Sequence, residues 1–413
     1  MKKIILALAL VLLIVVASVS LVACGGKTEE ADLTVGAIMV GDETEGYTEA
    51  HMNGINAAIA AVKEKTGKTV SVVWKKKVEE NATCATACEE TIAAGAKLVI
   101  TNSYSHQFHI GDVVKNNPDV TFVSMTGDLA AGSGYTNWKN AFTGVYESRY
   151  VSGVVAGLKL KELVEANKLT SANYDGSNIK IGYVGAFNYA EVVSGYTAFY
   201  LGLKSIVPNV VMKVQYTNSW FDFNAENETA KALIADGCVI IGQHADSEGA
   251  PTACETANKE GKVVYSVGYN VSMLKAAPTA ALTSASNVWE VYYEYLFTSI
   301  LNGETVATDW SKGYKDGAVE ITALGTSCAA GTADKVAETI AAIKAGTLKV
   351  FDCSTFTVGN NHLTSYTNAY GMNNQECIVK EGDVYYFNES ALRSAPYFDI
   401  RIDGITETGA QQS

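Results

Sequence analysis

Proline is scarce in this chain: 5 residues in 413, against 36 glycines. That ratio excludes proline-rich spacers and stiff polyproline segments, and leaves many short, glycine-punctuated turns. Charged residues make up only 18%, while 48% are hydrophobic, so the chain is neither a disordered acidic tail nor a coiled coil. Basic residues are outnumbered 31 to 44, and a net charge of −13 argues against nucleic acid as a partner. After the first two dozen residues no apolar run reaches the roughly 18 residues that span a bilayer. Catalytic signatures are missing too. There is no Gly-x-Ser-x-Gly elbow, and Gly67-Lys68-Thr69 ends like a phosphate loop but has Val62 where the first glycine belongs. His106 and His109 stand three apart with no third ligand in view, which does not make a metal site. No cofactor is expected.

What is present begins with a targeting segment. Lys2 and Lys3 precede a nearly unbroken apolar run, Ile4 to Val16, and Leu21-Val22-Ala23 leads into Cys24. Small residues before a cysteine match a bacterial lipoprotein signal, with residues 1–24 a signal ending at an acylated Cys24 that becomes residue one, and residues 25–33 serving as a tether. The expectation is a body held by lipid on the extracytoplasmic face of the cell membrane. Beyond Cys24 lie seven cysteines (Cys84, Cys88, Cys238, Cys254, Cys328, Cys353 and Cys377), an odd number with no zinc-like spacing. They read as mostly buried free thiols, with at most one bridge among the last three.

The body alternates strand and helix. Val35–Val40 is apolar and β-branched, Gly41 and Gly46 bracket a polar loop, and from Tyr47 apolar residues fall at helical spacing. Two such series in tandem predict an α/β protein of two similar lobes, 34–145 with 270–313 and 146–269 with 314–413. Ligands of open α/β sheets sit at the carboxyl ends of the strands. That rule nominates Asp42, Tyr47, Ser103, Tyr104, Glu191, Trp220, His244 and Asp246. Tyr47 and Trp220, one per lobe, are placed to sandwich a flat ligand. His51 reads as a buried helix residue bonded to backbone, and Arg149 beside Glu147 as a loop-fixing or interlobe pair. Residues after Phe351 read as hairpins.

Several stretches, taken in order, resemble one family. Gly46-Tyr47-Thr48-Glu49-Ala50-His51, the helix start Tyr146-Glu147-Ser148-Arg149-Tyr150-Val151-Ser152-Gly153, Asn218-Ser219-Trp220-Phe221-Asp222, Gln243-His244-Ala245-Asp246-Ser247 and Val267-Gly268-Tyr269-Asn270 are similar to motifs of the basic membrane protein family. These are substrate-binding lipoproteins of ABC transporters, akin to purine nucleoside receptors. The resemblance implies a type I periplasmic-binding fold with two Rossmann-like lobes. It also implies a purine base or nucleoside stacked between aromatics at Tyr47 and Trp220, and an ABC permease as the membrane partner. Nucleoside-binding members carry an aspartate for the ribose hydroxyls where this chain has Asn270, which lacks the charge that strengthens such bonds. A free base such as adenine is therefore as well matched as a nucleoside. The rival readings are a surface nucleoside-processing enzyme and a sensor lipoprotein that presents its ligand.

Overall fold

A computed structural model of the protein describes residues 31–410. Cys24, the leader and most of the tether lie outside the described residues. The tether's last residues are already part of the fold. The Asp32 carboxylate accepts hydrogen bonds from the Thr69 N–H and hydroxyl at 2.7 and 2.9 Å, and Leu33 opens the first strand.

The strand Leu33–Ile38 is buried almost throughout because it lies inside a parallel sheet with neighbours on both edges. Across the first sheet the order is Asp309–Trp310, Trp138–Ala141, Thr121–Met125, Leu98–Thr101, Leu33–Ile38, Val70–Lys75, all parallel. The second sheet runs Val319–Ile321, Ala281–Asn287, Tyr265–Tyr269, Ile240–Gln243, Asn178–Gly185, Val210–Tyr216, Ile405–Thr408. Only Val319–Ile321 and the short Tyr174–Asp175 pair antiparallel in it. Each sheet has its own core. Ile55, Phe142, Trp289, Tyr293 and Phe297 belong to the first, and Ile181, Tyr183, Phe199 and Tyr397 to the second. No helix among the described residues is long and apolar enough to cross a membrane.

Small residues bring the helices of the second lobe into backbone contact. A Cβ on Gly153 would lie 2.1 Å from Phe199 O, and one on Gly202 would lie 2.0 Å from Tyr150 O, so Val145–Glu165 and Ala190–Lys204 touch without side chains between them.

Two expectations about the fold need correction. Residues 270–313 do not all join the first sheet: Ala281–Asn287 pairs with Ser266–Tyr269, and the chain crosses to the first lobe only at Val288, where the helix Trp289–Asn302 begins. Gly268 makes this pairing possible, since a Cβ there would meet Ser284 Oγ at 2.4 Å. The buried strand Trp138–Ala141 carries Lys139 and Asn140, which hide it from a hydrophobic pattern. Beyond Phe351 one hairpin forms, Ile378–Glu381 with Val384–Phe387. Apart from the strand Ile405–Thr408 at the edge of the second sheet, the rest is irregular chain wrapped on an aromatic cluster, with Phe351 stacked on Phe398 at 4.2 Å. All seven described cysteines are free thiols, six of them buried, so no bridge forms among Cys328, Cys353 and Cys377.

Candidate functional site

A cavity of about 450 Å³ lies where the carboxyl ends of the two sheets face each other. The first lobe supplies the loop after Leu33–Ile38 and the start of the helix Gly46–Thr66. Glu45 caps that helix, accepting from Tyr47 N and Thr48 N at 2.9 and 2.8 Å. The cap fixes Tyr47 in the first turn, where its hydroxyl donates to Asn102 O and its ring sits edge-on to His51 at 4.4 Å. His51 is a core residue, as expected, but its ring bonds a side chain and not the backbone: it stacks on Trp289 at 4.3 Å and meets Tyr293 OH through Nδ1 at 2.6 Å. Burial pushes its pKa down to about 3, so it is neutral. Asp42 pairs with Lys77 at 2.6 Å and accepts from Thr44 N, which holds its carboxyl well below the usual range. Thr126, also on the wall, has φ 61°, a left-handed conformation that β-branched residues rarely adopt.

Facing this, the second lobe supplies rings from four strand ends. Phe187 follows Asn178–Gly185, Trp220 follows Val210–Tyr216, His244 follows Ile240–Gln243 and Tyr269 ends its own strand. They touch in sequence, Phe187 to Trp220 at 5.0 Å, Trp220 to His244 at 6.3 Å and His244 to Tyr269 at 5.0 Å. Beneath them Arg149 lies 3.5 Å from the Tyr269 ring centroid, and its Nη1 donates to Gln243 O at 2.6 Å and Tyr183 OH at 2.9 Å. Arg149 does not pair with Glu147. Two residues apart on a helix, their side chains point in opposing directions, and Glu147 instead accepts from Tyr314 N at 2.6 Å.

Eight of the nine residues nominated for ligand contact line this cavity: Asp42, Tyr47, Ser103, Tyr104, Glu191, Trp220, His244 and Asp246. Asn270 does not. It sits behind Asp246, donating from Nδ2 to Asp246 Oδ1 at 2.7 Å while its own Oδ1 accepts from Asn287 Nδ2 at 3.0 Å. The carboxylate presented to the cavity from this cluster is therefore Asp246. Phe187 and Tyr269 escaped the sequence reading, although both stand at strand ends and carry the same signal that nominated Trp220.

The electrostatics are dominated by burial. Glu191 is pushed up to about 7 by desolvation, against the opposing pull of Arg149. Asp246 is raised by burial and by the neighbouring carboxyls of Glu45, Glu226 and Glu191. His244 is held far below its usual value by burial and by the positive Arg149. The His244 Nε2 to Glu191 Oε1 contact at 3.2 Å is thus a hydrogen bond with a neutral imidazole, not an ion pair. Asp42, Glu45, Glu80, Glu191 and Asp246 share the lining with the single cation Lys77. Such carboxyls exchange hydrogen bonds with ligand N–H and O–H groups. Among the described residues no three metal-ligating side chains cluster.

Two parallel-sheet lobes, linked by crossings near Phe142–Val145, Val288 and Ser311–Ala318 and closing on a cavity at their facing strand ends, define a type I periplasmic-binding protein. Solved structures agree on the fold. An ABC transporter solute-binding protein from Aeropyrum pernix superposes with a TM-score of 0.62 at 15% identity, covering 80% of this chain and 94% of that one. One from Conexibacter woesei gives 0.55 at 18%, covering 77% and 98%. The chain belongs to the family of PnrA-like ABC transporter substrate-binding proteins, which residues 38–341 match. A purine-binding protein of Brucella abortus is 31% identical over 339 residues, 82% of this chain and 88% of that protein. A Haloferax volcanii protein named for glucose binding in ABC transport is 28% identical over 268 residues, 65% of this chain and 62% of that one. It is thus a substrate-binding protein of an ABC transporter.

Proposed function

We propose that this substrate-binding protein captures a purine, as free base or nucleoside, and presents it to an ABC permease. The observation that carries the reading is the composition of the cavity. Tyr47 and Trp220 come to it from opposite lobes, and between them stand carboxyls suited to a purine's N–H groups. Flat heterocycles gain about 0.5–1.5 kcal/mol per ring contact beyond burial. A sugar would use the carboxyls but waste the breadth of aromatic wall that Phe187, Trp220 and Tyr269 provide. The purine-binding relative supports the same choice. Asp246, held by Asn270, is the group that would take the ribose hydroxyls of a nucleoside.

Capture would proceed by hinge closure about the three crossings. Residues 21–24 support an acylated Cys24 as the membrane anchor; substitution of Cys24 by Ser would then abolish incorporation of labelled palmitate. Calorimetry with adenine, guanine, adenosine, guanosine and glucose tests the ligand. Heat from purines and none from glucose is the expected result, and heat from glucose alone would overturn the reading.

A further inference from the structure

The C-terminal segment lies beyond residues 38–341, the part of the chain matched to the family. It is founded on one lobe and reaches the other. Its foundation is the second lobe, where Ile405–Thr408 extends the sheet beside Val210–Tyr216. Buried Glu389 accepts from Ser194 Oγ at 2.8 Å and from the N–H groups of Tyr397 and Phe398 at 2.8 and 3.0 Å. Ser194 sits about one helical turn beyond Glu191 of the cavity wall. From this base two residues cross to the first lobe. Arg393 Nη1 meets Asp128 Oδ2 at 3.2 Å, their side chains only 11% and 9% exposed. Ser394 donates its N–H and hydroxyl to Asp309 Oδ1 at 3.1 and 2.8 Å.

Asp128 has a second task. Tyr104, which lines the cavity, donates its hydroxyl to the same Oδ2 at 3.2 Å, and Gln107 Nε2 holds Oδ1 at 3.1 Å. Arg393 spends Nε and Nη2 on the carbonyls of Ala395 and Pro396, so its own loop fixes the guanidinium and leaves Nη1 pointing at Asp128. A smaller cavity of about 180 Å³ opens under this contact and shares Tyr104, Thr126 and Glu191 with the larger one.

We propose that residues 389–401 form a strap over the ligand site, with Arg393 as a positioning residue that holds Tyr104 in the cavity wall through Asp128 and ties the lobes together. A bound ligand leaves only when that contact parts. The inference rests on the purine reading for the identity of what is released, but not for the strap itself.

The test uses the full chain and the variants Arg393→Met, Arg393→Lys, Ser394→Ala, Tyr104→Phe and Arg393→Met with Tyr104→Phe. Stopped-flow release of adenine and adenosine is expected to be about tenfold faster in Arg393→Met, the loss of one charge-assisted hydrogen bond. Arg393→Lys should recover part of that loss, and Ser394→Ala should move in the same direction by less. The double variant should release no faster than Arg393→Met alone, because Arg393 acts through Tyr104. In small-angle scattering without ligand, Arg393→Met should show a larger radius of gyration. Release and scattering both identical to the parent would overturn the strap while leaving purine binding intact. A larger radius in a protein that binds no purine would keep the strap and overturn the purine reading.

Discussion

Asn270 gives one amide proton to Asp246 at 2.7 Å and takes another from Asn287 at 3.0 Å. A carboxylate stripped of water on the cavity wall is thereby held from behind by an uncharged residue. Asn270 also has φ 62°, where asparagine is tolerated better than most residues. Asn270→Asp would put a second carboxyl within hydrogen-bonding distance of the first. Expected is a loss of about 3–5 kcal/mol of stability at pH 8, the cost of an unpaired buried charge, and a smaller loss at pH 5. Urea unfolding at the two pH values checks it.

Trp220 is half-buried and lines the cavity. Trp220→Ala should weaken purine binding by about 1–3 kcal/mol, the usual loss for one aromatic anchor. The melting temperature should change little. Calorimetric titration decides, and an unaltered affinity would remove Trp220 from the site.

Glu191 carries a pKa raised to about 7 by burial, so the folded protein keeps its proton where the unfolded chain, near 4.5, has lost it. The folded state then binds more protons between those values, and stability falls as pH rises from about 4.5 to about 7. With 15% of the side chain still exposed, the loss is on the order of 2–3 kcal/mol. Glu191→Gln should remove this share, raising the melting temperature more at pH 8 than at pH 5. Glu226, also near 7 through burial, leaves a residual slope of the same sign.

Gly46 marks a close approach of the lobes at the cavity. A Cβ there would lie 3.1 Å from Val271 Cγ2 and 3.2 Å from Asp246 O, both on the opposite side. Gly46→Val should hinder closure and weaken ligand binding by about tenfold or more, with circular dichroism unchanged. Retained affinity would show that the lobes need not come this close.

Six of the seven described thiols are buried, and burial raises the Cys238, Cys254 and Cys353 pKa values. An aromatic disulfide reagent should label at most Cys328 in the native state and all seven in urea. Reductant should leave the melting temperature where it is.

The cavity wall was legible because strand ends are legible: β-branched runs such as Val35–Val40 and Val210–Tyr216 stop at polar loops, and the residues just after them are the lining. What the pattern could not give was where the chain goes next. Tyr269–Asn270 reads as a departure from the second lobe, yet the loop returns to the same sheet because Gly268 lets Ser284 in. Charge spacing likewise joined Arg149 to Glu147, when helical geometry turns them apart. Apart from the one hairpin, Ile378–Glu381 with Val384–Phe387, the segment from Phe351 onward had neither period nor motif. Its order comes from rings meeting across long sequence separations, as in Phe351 on Phe398, which local patterns do not encode.

The strand Ile405–Thr408 covers the outer flank of Val210–Tyr216. Until those residues arrive, Val210–Tyr216 offers an unpaired backbone ladder, the kind of edge on which chains stick to one another. A polypeptide shortened by its final dozen residues would keep every group of the cavity wall and still be prone to aggregate. Yield after truncation would thus fall for a reason unrelated to ligand recognition.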